Sequence, residues 1–218
     1  ASFSAWKLPS RARSTVSGLM TQSNPYFQAQ VPPGASVAVF GLGGVGLSIV
    51  MGAVLAGATR IVAVDRVAGK LERARELGAT ETILATDAEA TVAAVRAATG
   101  GHGPDYAFEA IGLPTTIEQS IAVLPPGGTA VLVGLTRFGA RASFEAFPFV
   151  DGSRRILGSN YGFAVAALDF PRYAELHLAG RLPIDRLIEA RIGLDELEDA
   201  FERMRRGEGA RRVVVFEP

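Results

Sequence analysis

The stretch SVAVFGLGGVGLSIV, residues 36–50, sets four glycines in the bend between two apolar runs. The run before the bend, rich in Val, Ala and Phe, suits a strand buried on both faces. The bend itself fits G-x-G-x-x-G, with Gly41, Gly43 and Gly46 at the glycine positions. Between a strand and a helix each glycine has its own task. Gly41 permits the tight turn out of the strand, Gly43 lets the backbone approach a pyrophosphate, and Gly46 lets the helix press close to the sheet. The N–H groups that open the helix, from Gly44 and Val45 on, then point at the phosphates with the helix dipole behind them. The pattern also asks for an acidic residue ending the second strand, about 20 residues further on. Asp65, the last residue of RIVAVD, holds that place. Its carboxylate can accept both hydroxyls of an adenosine ribose, while its charge opposes a 2′-phosphate. The competing reading is an aspartate that only caps the next helix. The full pattern predicts a bound dinucleotide, NAD.

Around this turn the chain alternates. Strands are expected at SVAVF, RIVAVD, ETIL, DYAFEA and GTAVLVGL, with helices over 45–56, 68–77, 88–99 and 115–123 between them. The strands are short, apolar and not alternating, as in a parallel sheet covered on both faces. Repeated strand–helix units with right-handed crossovers give an α/β doubly wound parallel sheet, the Rossmann architecture. A loop-rich gap follows Thr136, then a further sheet strand at 156–158, helices over 170–179 and 194–206, and a last strand RRVVVF. The expected organisation is an N-terminal arm over 1–30, a nucleotide-binding domain over 31–160 and a helical and strand appendage over 161–218.

Composition narrows the function classes. With 22 basic and 22 acidic residues the net charge is zero, so no global field favours nucleic acid or an anionic membrane. No apolar run is long enough to span a bilayer, and the chain reads as cytoplasmic. The absence of cysteine excludes disulfides and thiolate metal sites. His102, in the loop GGHGPD, and His177, in YAELHLAGR, are the only imidazoles and read as structural. Tyr161 and Asp105 are lone polar groups without an evident partner. The arginines at 205–206 and 211–212 read by default as a solvated helix end and strand start.

From about Val31 to Phe216 the chain resembles the cofactor domain and C-terminal part of a zinc-type medium-chain alcohol dehydrogenase. The resemblance rests on VPPGASVAVFGLGGVGLS, AVDRVAGKLERARELGAT, DYAFEAIG, GGTAVLVGL, ILGSNYG and LDELEDAFERMRRGEGARRVVVF, in order and spacing. It implies that Lys70 reaches the adenosine ribose beside Asp65 and that Ile111 packs near the nicotinamide-side ribose. It implies that the backbone of Val133, Gly134 and Leu135 holds the carboxamide and that Arg211 pairs with the pyrophosphate. Arg66, next to Asp65, invites NADP, but Asp65 still disfavours the extra phosphate. The resemblance also implies a homodimer joined through the last sheet strand.

In that family a GroES-like catalytic domain, ahead of the cofactor domain, supplies zinc ligands and a proton relay. Here VSGLMTQ stands where the family has a GCG motif, with Val16 at the cysteine position. Zinc is therefore expected in the full-length family and not in this chain, and no residue is assigned as catalytic. Two functions compete. One is oxidoreductase, with hydride moving between NAD and a small alcohol or aldehyde where a catalytic domain is supplied. The other is a stand-alone nucleotide-binding module without its own chemistry. A methyltransferase, which also uses a glycine turn and an acidic strand end, is disfavoured by the extended resemblance.

Overall fold

The computed structural model describes residues 29–208 and 211–216. The expected arm over 1–30 lies almost wholly outside them. Six strands, β1 (Ser36–Phe40), β2 (Arg60–Asp65), β3 (Glu81–Leu84), β4 (Tyr106–Glu109), β5 (Thr129–Leu132) and β6 (Arg155–Gly158), form one sheet in the order β3–β2–β1–β4–β5–β6. Every pairing is parallel, with Val39 opposite Ala63 on one side and Phe108 on the other. The order reverses between β1 and β4, and a crevice opens there at the carboxyl ends of the strands.

Helices cover both faces. Val37, Val39, Ile61, Ala63, Phe108 and Val131 point to one face, where they meet α1 (Gly44–Leu55) and α2 (Ala68–Glu76). Ala38, Phe40, Val62, Val64, Ala107 and Ala130 point to the other, against α3 (Ala88–Ala98) and α4 (Pro114–Ala122). This strict alternation from continuously apolar strands is why the pattern carried no polar face. Asp87 starts α3 by accepting the Ala90 N–H at 2.8 Å, which also draws its carboxyl below the ordinary aspartate value. At the other end of the sheet, Asp105 accepts both the N–H and the hydroxyl of Ser36, at 2.8 and 2.7 Å, tying β4 to β1. Asp105 is thus partnered, contrary to the reading of it as a lone polar group. The partner is 69 residues away and invisible to local spacing.

Beyond β5 the structure adds elements that the sequence pattern missed. A short helix α5 (Ala146–Asp151) interrupts the expected loop. Helix α6 (Ala166–Leu178) begins four residues before the expected 170 and carries Pro171 inside it. Proline suits a first turn, whereas here Pro171 stands in the second turn. The observed start is held instead by Asp169, which is 2% exposed and accepts the Val165 N–H at 2.7 Å. Strand β7 (Ile188–Ile192) pairs in parallel with β8 (Arg211–Val214) as a separate two-stranded sheet, with α7 (Leu197–Arg205) between them in sequence. Leu182 and Leu187 from this C-terminal part join the core on the α1 face. Among the described residues no helix is long and apolar enough to cross a membrane.

Candidate functional site

The glycine turn sits at the carboxyl end of β1. Gly41 has φ of +89°, a left-handed conformation that a side chain would strain. A Cβ on Gly46 would lie 2.8 Å from the carbonyl carbon of Gly41, and closer still to its oxygen. Helix α1 therefore rests directly on the turn. Gly43 behaves differently. It is the N-cap of α1, with no side-chain hydrogen bond to the helix end, and a Cβ there would meet nothing within 4 Å. The first N–H groups of α1 have no acceptor inside the helix and face this open space.

A cation stands opposite. The guanidinium of Arg211, at the start of β8, lies 3.1 Å from where a Cβ of Gly44 would be. A strand of the small second sheet thus delivers a positive charge to the N-terminus of α1, where an anion is already favoured. Open space, free donors and a guanidinium make a cradle suited to a pyrophosphate.

Asp65 ends β2 beside the turn. Its Oδ2 accepts the Leu42 N–H at 2.7 Å and its Oδ1 accepts the Val67 N–H at 2.9 Å. Helix α2 has Val67 as N-cap and no side-chain cap, so Asp65 does not serve as that cap. Arg66 is exposed and Lys70 half-buried just beyond it. Their side chains make no hydrogen bond or ion pair among the described residues.

On the other side of α1 a cleft of about 560 Å³ opens along the sheet edge. Seven of the residues singled out from the sequence line it: Gly44, Val45, Ile111, Val133, Gly134, Leu135 and Arg211. Gly41, Gly43 and Gly46 form the turn behind it, whereas Asp65, Arg66 and Lys70 lie outside it, past β2. Val45 and Ile111 present half-exposed apolar side chains to the cleft. The opposite wall comes from the C-terminal part, through Tyr173, Leu182, Ile184 and Leu187. Local spacing gave no hint of these, because Tyr173 lies on α6 and the others in the segment between α6 and β7, far along the chain from the glycine turn. Tyr161 lines the cleft as well, 85% exposed and with a positive φ of 51°.

The most consequential residue missed is Glu109, the last residue of β4, which is completely buried. Its Oε1 accepts the Ile111 N–H at 3.0 Å, the Gly112 N–H at 2.8 Å and the Thr116 hydroxyl at 2.7 Å. Its backbone carbonyl accepts from Val133 and Gly134. The chain segments that follow β4 and β5, which form one wall of the cleft, are therefore joined through one residue. Its Oε2 is buried and accepts no hydrogen bond among the described residues. A glutamate closing an apolar strand was the available signal.

Zinc does not fit. The chain has no cysteine, and among the described residues no group of three His, Asp or Glu side chains could hold a metal ion. His102 is exposed in a loop, and His177 lies on α6 with Nδ1 3.1 Å from the Leu182 carbonyl.

Comparison with known proteins follows the same lines. The family model described as "Zinc-binding dehydrogenase" matches residues 44–178. The geraniol dehydrogenase of Castellaniella defragrans is 37% identical over 186 residues, 85% of this chain and 49% of that protein. The crystal structure of benzyl alcohol dehydrogenase from Acinetobacter calcoaceticus superposes with a TM-score of 0.82 at 29% identity, over 97% of this chain and 58% of that one. A zinc-binding dehydrogenase from Sinorhizobium meliloti, solved bound to NADP, gives a TM-score of 0.74 at 31% identity, over 91% and 57%. The chain thus spans about half the length of the relatives it matches.

Proposed function

Because the chain belongs to the zinc-binding dehydrogenase family, we propose that it is the NAD(H)-binding portion of an alcohol dehydrogenase-like oxidoreductase. The observation that carries the reading is the open cradle over Gly43, with free helix N–H groups on one side and the Arg211 guanidinium on the other. Arg211 and the amides of α1 hold the pyrophosphate, and Asp65 accepts the adenosine ribose hydroxyls, with Lys70 beside it. Ile111 packs on the nicotinamide-side ribose, and the backbone of Val133, Gly134 and Leu135 takes the carboxamide. When bound, the dinucleotide supplies a nicotinamide carbon that accepts or releases a hydride. Val45, Ile111 and the C-terminal wall exclude water from that end of the cleft and leave an apolar environment. This wall, and the alcohols named for the relatives, support a hydrophobic alcohol or aldehyde as the substrate class.

NAD is favoured over NADP because a 2′-phosphate would meet the Asp65 carboxylate. A close like-charge contact there costs on the order of 1–3 kcal/mol, about ten- to a hundredfold in affinity. Calorimetric titration with NADH and NADPH is the test. Tighter NADH binding by that factor is expected. Equal or tighter NADPH binding removes the ribose role of Asp65, and binding of neither removes the reading itself.

Association follows the same family reading. Strand β6 is the outer edge of the sheet, and Phe138, Phe147 and Val150 are exposed between β5 and β6 in sequence. Unpaired edges and apolar patches favour a partner. A homodimer through β6 is expected by light scattering at micromolar concentration, and a monomer there counts against it.

A further inference from the structure

We propose that Asp65 is also the positioning residue of the glycine turn, so that one carboxylate both receives the ribose and holds the pyrophosphate cradle in shape. The inference rests on the dinucleotide reading for its ligand, but its geometry is present without one. Leu42 lies between Gly41 and Gly43, and its side chain is completely buried. Its N–H donates to Asp65 Oδ2 at 2.7 Å, a bond that reaches 23 residues across from β1 to β2. Gly41, in turn, donates its N–H to the Val64 carbonyl at 2.8 Å. The two successive amides of the turn are thus pinned to two successive residues at the end of β2. The first bond is the ordinary continuation of the parallel ladder. The second is made by a side chain and depends on residue 65 being an acceptor of that length. On its other oxygen Asp65 accepts the Val67 N–H at 2.9 Å, which fixes the carboxylate plane.

A carboxylate has about four lone-pair sites, and two are used here. The remaining pair, one on each oxygen, is free for the two hydroxyls of a ribose. The strut and the ribose acceptor are therefore compatible roles. Their combination couples the two halves of the ligand: a change at residue 65 reaches the pyrophosphate through the backbone. Without its acceptor the Leu42 N–H has to find a new partner, and the turn has to move to give it one.

The test separates the strut from direct contact by using a ligand that Asp65 cannot touch through hydroxyls. The probe is 2′,3′-dideoxyadenosine diphosphate, titrated into the chain and its Asp65→Ala and Asp65→Asn variants. Direct electrostatics alone predicts that removing a negative charge near an anion leaves affinity unchanged or raises it. The strut predicts the opposite sign. Asp65→Ala should weaken the probe about tenfold. Asp65→Asn, which keeps one amide oxygen as acceptor, should weaken it less. Amide hydrogen exchange at Leu42, measured without ligand, gives the second readout. Protection should fall in Asp65→Ala and be largely kept in Asp65→Asn, with the remaining sheet amides unchanged in both. Equal or tighter probe binding by Asp65→Ala overturns the proposal, as does Leu42 protection that matches the parent chain. If the parent chain binds neither the probe nor NADH, the dinucleotide reading fails instead. The exchange measurement then decides the strut alone.

Discussion

Two glycines three residues apart should respond to the same methyl group in opposite ways. At Gly43 an added Cβ meets nothing within 4 Å, and φ of −74° with ψ of −170° is open to any residue. Alanine is a poorer N-cap than glycine by about 0.5–1 kcal/mol. Restricting the unfolded chain returns about 0.4–1 kcal/mol, so the net change in stability is close to zero. At Gly46 the methyl would be driven into the Gly41 carbonyl, which is backbone and cannot rotate away. Overpacking of that kind costs about 1–3 kcal/mol. At about 2–4 °C per kcal/mol for a chain of this size, Gly46→Ala should lower Tm by about 2–12 °C, and Gly43→Ala by no more than about 2 °C. Ligand binding should rank the other way. On the proposed reading the Gly43 methyl would take the space of a phosphate oxygen, so NADH affinity should fall at least tenfold, about 1.4 kcal/mol. Thermal unfolding of both variants, with calorimetric titration of NADH, checks the pair. The reasoning is refuted if Gly43→Ala binds NADH as the parent does, or loses as much Tm as Gly46→Ala.

Arg211→Ala should weaken NADH by about five- to thirtyfold and flatten its dependence on salt, since a charge-assisted contact is lost; Arg211→Lys should keep the salt dependence and part of the affinity. Glu109→Ala should destabilise the chain by about 1–3 kcal/mol in urea unfolding, because three donors, the buried Gly112 N–H among them, lose their acceptor, whereas Glu109→Gln retains one side-chain oxygen and should cost clearly less. Asp87→Ala should be less stable than the parent at neutral pH. Because the folded carboxyl lies below its ordinary value of 3.8, the ionised cap's contribution is present above that value and lost as pH falls below it. The gap between the two proteins, followed by thermal unfolding, should therefore narrow on acidification.

Much of the nucleotide-binding half was legible from one dimension because its signals are local. A strand buried on both faces needs an uninterrupted apolar run, and a turn that carries a phosphate needs glycines at fixed offsets. SVAVFGLGGVG meets both demands within a dozen residues, and RIVAVD supplies the acidic strand end. The doubly wound class followed from the alternation and from right-handed crossovers, whereas the strand order β3–β2–β1–β4–β5–β6 came with the structure. The same locality explains the failures. Helix α6 was expected from 170, four residues late, and Asp169, which supports its observed start, acts by reaching back to Val165. Strand β7 is a five-residue run with Glu189 and Arg191 either side of Ala190, too short to stand out locally, and its pairing with β8 completes it.

Tertiary structure decided what these pieces do together. The resemblance named Arg211 for the pyrophosphate, but spacing alone did not say that it lies over Gly44, where the second sheet brings it. Nor could spacing say that Glu109 ties the ends of β4 and β5 together, or that the two oxygens of Asp65 are divided between Leu42 and Val67. Arg211 over Gly44, the Leu42 N–H on Asp65 and the Val133 N–H on Glu109 are contacts between elements that only strand pairing and packing bring side by side. Backbone donors at a sheet edge have to be satisfied by whatever the fold brings near. Residue type and spacing determine which groups are available, and the packing of the strands selects among them.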